Sequence, residues 1–258
     1  MRLPGLLARA AALLVALSAP AGAEPAPLVA AASDLKFALE DIAAKFRADT
    51  GRDVTLVFGS TGNFTRQIEQ GAPFQMFLSA DEGYVRRLAG KKLTLDDGVL
   101  YAVGRIVLFA PHGSPVKPEA GLEGLRAALA SSRALRLAIA NPEHAPYGRA
   151  AMQALRHAGL RDEVRPRLVL GENVSQAAQF AVDAGAGIFA YSLALAPEVS
   201  KQGRFALVPA EWHEPLNQRM VLLKGAGGTA EAFYAFLRTR PAREIFVRYG
   251  FALPGEAS

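Results

Sequence analysis

Four short segments place hydroxyls, glycines and prolines directly after apolar runs: Ser33-Asp34, Gly59-Ser60-Thr61-Gly62, Ala145-Pro146-Tyr147-Gly148 and Gly171-Glu172-Asn173-Val174-Ser175. The runs before them end at Ala31, Phe58, Ala140 and Leu170, and a helix-like pattern opens after each. These are strand-to-helix junctions, at the strand ends where α/β sheets bind ligands. A helix start carries unpaired backbone N–H groups and the positive end of the macrodipole, so it attracts an anion without a full counter-charge. The hydroxyls of Ser33, Ser60 and Thr61 add donors that carry no charge. Two such ends from each half of the molecule would surround a tetrahedral oxyanion with neutral donors. A buried dianion is tolerable only when nearly every oxygen is hydrogen-bonded, because its bare desolvation is very costly. The plainer reading is that Ser33, Ser60, Thr61 and Asn173 are ordinary helix N-caps, a role compatible with anion binding. Asp34 opposes a dianion unless it accepts a proton, which would favour a protonated oxyanion such as hydrogen phosphate. A first-turn carboxylate facing solvent is the simpler expectation for it.

Other chemistry has little support. The chain has no cysteine, which removes disulfides, thiolate metal sites and cysteine nucleophiles together. Its four histidines, His112, His144, His157 and His213, show no zinc spacing, and His144 reads as a surface-loop residue. Neither a G-x-S-x-G elbow nor a G-x-x-x-x-G-K-[ST] phosphate loop is present. Gly59-Ser60-Thr61-Gly62 invites the alternative of an exported hydrolase using Ser60 or Thr61 on phosphate esters, but no base is identifiable for it. The pairs Asp81-Glu82 and Asp96-Asp97 read as solvated turn carboxylates. Trp212 and the aromatics near the C-terminus fit helical packing better than a sugar platform. The expectation is a binding protein with no catalytic residue and no cofactor.

The elements that must position these segments alternate along the chain, the signature of an α/β protein. Strands are expected at 28–31, 54–58, 74–79, 105–110, 135–140, 168–170, 187–191 and 220–223. The helix 35–48 carries Ala38, Leu39, Ile42, Ala43 and Phe46 on one face. A terminal helical pair lies within 230–251. Strands 106–110 and 220–223 sit where a chain could leave one lobe and return to it. That predicts lobe 1 as 24–105 plus 216–258 and lobe 2 as 106–215, with a ligand cleft between them that closes about a hinge. Residues 1–23 read as a signal peptide: Arg2 and Arg9, an apolar run Ala10–Leu17, and Ala21-Gly22-Ala23 before the cut. With no cysteine for lipid attachment, the mature chain is expected free in the periplasm. The formal charge is +5, two units of which leave with Arg2 and Arg9. That mild excess lacks the clustered stripe of a nucleic-acid binder, though it can steer a small anion. Nothing in the sequence suggests an oligomer, and a monomer is expected.

At these junctions the chain resembles the periplasmic molybdate-binding proteins of ABC transporters. The matching segments are Ala31-Ala32-Ser33, Phe58-Gly59-Ser60-Thr61, Arg66–Pro73, Phe77–Asp81, Asn141–Gly148, Glu172-Asn173-Val174 and Glu244–Phe251, in order along the whole mature chain. The resemblance implies the two-lobed periplasmic-binding-protein fold of type II. It implies a ligand of molybdate, with tungstate, held through its oxygens by hydroxyls and backbone amides. The partners implied are an inner-membrane permease and its ATPase. Carried over by position, Ser33 is one hydroxyl donor, and Thr61, or Ser60 beside it, is the second. Tyr147 and Val174 stand where the family offers backbone amides. Some members place a tyrosine in the strand after the fourth helix; here Ala190 holds that place and Tyr191 follows. A one-residue shift turns a strand side chain to the other face, so Tyr147 could supply a phenol instead. Sulfate or phosphate, with Asp34 accepting a proton, is the alternative ligand reading.

Overall fold

The structure, a computed structural model, describes residues 25–255. The expected signal peptide, 1–23, lies outside the described residues. From the N-terminus run β1 (Leu28–Ala32), α1 (Lys36–Thr50), β2 (Thr55–Gly59), α2 (Thr61–Glu69), β3 (Met76–Ser79), α3 (Glu82–Gly90) and β4 (Val99–Gly104). The chain then passes through Arg105 into β5 (Ile106–Pro111), α4 (Glu123–Ser131), β6 (Leu137–Ala140), α5 (Pro146–His157), α6 (Arg161–Val164) and β7 (Leu168–Gly171). It continues as α7 (Val174–Ala184), β8 (Gly187–Ala190), α8 (Tyr191–Ala194), α9 (Pro197–Ser200) and β9 (Gly203–Leu207). Finally β10 (Leu216–Leu222), α10 (Gly228–Phe236) and α11 (Arg240–Arg248) return to the first half.

Two five-stranded sheets result, ordered β2-β1-β3-β10-β4 and β7-β6-β8-β5-β9. In each, three strands run parallel and the remaining pairings are antiparallel. The two orders are the same pattern: β6, β7 and β8 take in the second sheet the places of β1, β2 and β3 in the first. No repeat of fixed period betrays this in the sequence, because only the burial pattern is shared. The β1–β2 register ends flush at Ala32↔Gly59, and the β6–β7 register at Ala140↔Gly171. Two adjacent strands therefore deliver two helix starts side by side in each lobe.

The first sheet is apolar on both faces, as a helix-covered sheet must be. Val29, Ala31, Met76, Leu78 and Met220 face one core with α1, α10 and α11. Their neighbours Ala30, Phe77 and Val221 face a second core with α2 and α3. Phe46 of α1 meets the rings of Phe233 and Phe236 edge-on, and Phe246 and Phe251 complete that layer, so the C-terminal aromatics are packing residues. The core of the second lobe also takes in Ala32 and Ala80 from the first, at the seam between the lobes. The expected strand 220–223 is longer, beginning at Leu216. Its inward positions read Leu216, Gln218, Met220, and the glutamine breaks the apolar alternation while being wholly buried. No helix among the described residues is long and apolar enough to cross a membrane.

Candidate functional site

The four junctions converge. Ser33, Asp34, Ser60, Thr61, Tyr147 and Val174, with small apolar residues, glycine and proline between them, line a narrow cavity of about 10 Å³ between the lobes. That lies far below the ~300–1,000 Å³ of most organic-ligand sites, and it leaves room for nothing larger than one small ion. No lysine or arginine lines it. The first-turn amides of Thr61, Tyr147 and Val174 have no acceptor within their own helices. They come from α2 of one lobe and from α5 and α7 of the other.

Most of the hydroxyls do not cap these helices. Ser60 precedes α2 with no side-chain capping bond, and Ser33 opens a short 3-10 turn, 33–35, that is likewise uncapped by a side chain. Only Asn173 caps, its Oδ1 accepting from the Gln176 N–H at 3.0 Å. The hydroxyls reach across the cleft or along it instead. Ser33 Oγ donates to Asn173 Oδ1 at 3.1 Å and accepts from the Ser175 N–H at 3.3 Å. Thr61 Oγ1 accepts from the Ala80 N–H at 3.1 Å, which leaves its own proton available.

Several expectations are corrected here. Asp34 does not face solvent: it is 1% exposed, because the 3-10 turn carries it under α5 and β10. Its Oδ2 accepts from Gln218 Nε2 at 2.6 Å and from the Tyr147 hydroxyl at 2.9 Å. Burial raises its pKa to about 6 against the opposing pull of those two bonds. The same burial, with the nearby Asp34 charge, lifts the Tyr147 phenol well above its ordinary value. Tyr147 thus contributes a phenol to Asp34 as well as lining the cavity. Tyr191 is not a wall of the cavity. The strand ends at Ala190, and the Tyr191 ring turns to Phe205 and beneath the Arg105 guanidinium, 5.8 Å from its centroid. Its neighbour Ser192 donates instead, to the Asp34 carbonyl at 2.7 Å.

His144 is buried, and its Nδ1 lies 3.0 Å from Ser60 Oγ. Its Nε2 is 3.6 Å from a Glu172 carboxylate oxygen. A basic partner for Ser60 therefore exists that the sequence did not disclose. The lobes also meet at Gly62, whose N–H donates to the His144 carbonyl at 2.9 Å, and at Asn63, which donates to Glu172. Asp81 is not a free turn carboxylate. It caps α3 through the Gly83 N–H and pairs with Arg149 of the opposite lobe, which also donates to the Tyr84 hydroxyl at 2.9 Å. Gln218 and Tyr101, joined at 2.7 Å, are the buried supports that sequence reasoning missed. A polar residue at an inward position of an otherwise alternating strand was the signal for Gln218.

These bridges hold the lobes closed over the cavity. The Arg149–Asp81 pair is about one-third exposed on both sides, so it is worth roughly 1 kcal/mol at most. Arg149→Ala is expected to speed ligand release several-fold and to leave the association rate nearly unchanged; stopped-flow kinetics would check it. An unaltered release rate would show that the pair is ornamental to closure.

Comparison with known proteins accords with this geometry. The model of the family described as bacterial extracellular solute-binding protein matches residues 27–252. The chain is 34% identical to the molybdate-binding protein ModA of Rhodobacter capsulatus over 249 residues, 95% of this chain and 94% of that one. It is 35% identical to the ModA of Azotobacter vinelandii over 239 residues, covering 87% and 89%. The solved structure of the Azotobacter vinelandii periplasmic molybdate-binding protein superposes with a TM-score of 0.79 at 30% identity, covering 88% of this chain and 99% of that one.

Proposed function

The chain belongs to the bacterial extracellular solute-binding proteins and, among them, to the molybdate-binding ModA family, and from that premise we propose that it captures molybdate, and tungstate with it, for import. The observation that carries the reading is the convergence of helix starts from both lobes on one small cavity lined with hydroxyls and lacking any lysine or arginine. The anion would be held through its oxygens. Ser33 and Thr61 would donate hydroxyls, with Ser60 beside them, and Tyr147 and Val174 would donate backbone amides. The Thr61 hydroxyl has its proton free for the anion, whereas Ser33 would turn its single proton from Asn173 Oδ1 to an anion oxygen. The dipoles of the helix starts favour negative charge where water has been displaced.

Lobe closure makes the event readable from outside: the loaded, closed protein presents both lobes in one fixed relation to an inner-membrane permease with its ATPase. The protein acts as a monomer in the periplasm after removal of residues 1–23. It needs no resident cofactor and makes no covalent bond. The Ser60–His144 contact is the one observation that favours a hydrolase. A cavity of about 10 Å³ between the closed lobes leaves no space for the leaving group of an ester.

Calorimetric titration of the dialysed mature chain with molybdate, tungstate, sulfate and phosphate tests the reading. One-to-one binding of molybdate and tungstate, with the other two silent, is expected. Binding of sulfate or phosphate alone would move the ligand assignment. Silence from all four, with turnover of a phosphate ester lost in Ser60→Ala, would replace binding with hydrolysis.

A further inference from the structure

Asp34 sits where a carboxylate is least welcome. It forms part of the wall of a cavity read as an anion site, and no cation lines that wall to offset it. Its two oxygens are in unlike situations. Oδ2 is fully engaged by Gln218 Nε2 and the Tyr147 hydroxyl, while Oδ1 is buried and has no hydrogen-bond partner among the described residues. The network behind Oδ2 is rigid. Tyr101 fixes Gln218 at 2.7 Å, and Gln218 Nε2 also lies 3.0 Å from the Tyr147 hydroxyl. A Cβ on Gly104, at the crossing between the lobes, would stand 2.2 Å from that hydroxyl. Rotation of the carboxyl to bring another donor to Oδ1 would break this network.

We propose that Asp34 carries one proton in the anion-loaded, closed protein, with Oδ1 as the hydrogen-bond donor to an anion oxygen, so that binding a fully deprotonated oxyanion takes up one proton from solvent. The inference rests on the anion-binding reading above and specifies its chemistry. The balance is simple. The ionised carboxyl gains a proton at Oδ1, and the anion stays a dianion. The loaded cavity then holds two negative charges instead of three. Unprotonated, Oδ1 and an anion oxygen would face each other lone pair to lone pair, with no water between them to screen the repulsion.

The groups around Asp34 allow this. Tyr101 of β4 and Tyr147 of α5 are phenols that burial keeps neutral. Gln218 of β10 is uncharged, and α8 offers the Ser192 hydroxyl to the backbone. On the adjoining helices, Lys36 and Glu40 of α1 and Asp183 of α7 line a separate open groove. Arg219, next to Gln218, is engaged with Glu82 and with the Asp97 and Gly98 carbonyls. His144 contacts Ser60 and Glu172. The unloaded carboxyl already has its pKa raised to about 6 by burial, and a dianion beside it pushes protonation further in the same direction.

The test is calorimetry of molybdate binding to the mature chain at pH 8 in two buffers of different ionisation heat. It is followed by a series from pH 7 to 9, where molybdate itself stays deprotonated. About one proton taken up per anion is expected, and an affinity that falls about ten-fold per pH unit as the solution becomes more alkaline. Asp34→Asn, whose amide is a permanent donor, is expected to bind with no proton uptake and a flat pH profile. Binding by the parent chain without proton uptake would overturn the proposal and leave the function reading standing. A pH slope that survives in Asp34→Asn would overturn it too. Failure of the parent to bind any of the four anions would instead sink the function reading, and this proposal with it.

Discussion

Gly62→Val is expected to weaken anion binding by roughly 5- to 150-fold, the ~1–3 kcal/mol of an overpacked contact acting on the closed state alone. Gly62 lies in the first turn of α2, where its backbone is helical and valine is tolerated at least as well as glycine. The three atoms nearest a Cβ there all belong to His144. The obstacle lies across the cleft: a Cβ there would stand 2.7 Å from the His144 carbonyl oxygen and 2.9 Å from the His144 Cβ. The same carbonyl accepts the Gly62 N–H. The bulk therefore strikes backbone, which cannot swing aside as a side-chain tip could. Each lobe should fold as before, and the thermal midpoint of the ligand-free chain should hardly move, while titration shows the affinity lowered by that factor. Retained affinity would mean that the anion is gripped without the closure described here.

Ser33→Ala is the second large effect, expected at about 10- to 100-fold in affinity, since a hydrogen bond to a charged group contributes ~1.5–3 kcal/mol. The hydroxyl is buried and stands between Asn173 Oδ1 and the Ser175 N–H of the opposite lobe. Its loss removes the proton that would turn from Asn173 to the anion and, with it, the acceptor of the Ser175 N–H across the cleft. Ser175→Ala separates the two roles. The Ser175 hydroxyl donates to the Ser33 carbonyl at 2.8 Å and is not a cavity wall, so its removal should cost only a few-fold. Equal losses in the two variants, measured by the same titration, would assign Ser33 to lobe closure and deny it the anion.

The contrast between these residues shows what the sequence could disclose. The four strand-to-helix junctions were legible because glycine, proline and hydroxyl residues follow apolar runs, and a strand end feeding a helix start is a local feature. The second sheet's identity with the first in strand order was not, since β4 and β9 are edge strands with mixed burial and weak alternation. Capping was misjudged for Ser33 and Ser60 for a related reason. The residue types favour a cap, but the partner that claims each hydroxyl lies far away in sequence, at Asn173 and His144. Asp34 reads as an ordinary first-turn acid until β10 returns over it more than 180 residues later with Gln218. Tyr191 was misplaced because one residue decides between the end of a strand and the first turn of α8. Short-range chemistry was visible in the sequence, and partners brought together by the second crossing of the chain were not.

The crystal structure of the mature chain grown with tungstate, phased on the tungsten anomalous signal, tests the central claim most directly. The account predicts one strong peak in the cavity between the lobes. Its oxygens should lie within hydrogen-bond distance of the Ser33 and Thr61 hydroxyls and of the Tyr147 and Val174 amides, with Asp34 Oδ1 against the anion and no lysine or arginine in contact. A peak in the open groove beside Lys36, or an anion in the cleft reached by a lysine, an arginine or a shell of water, would contradict it.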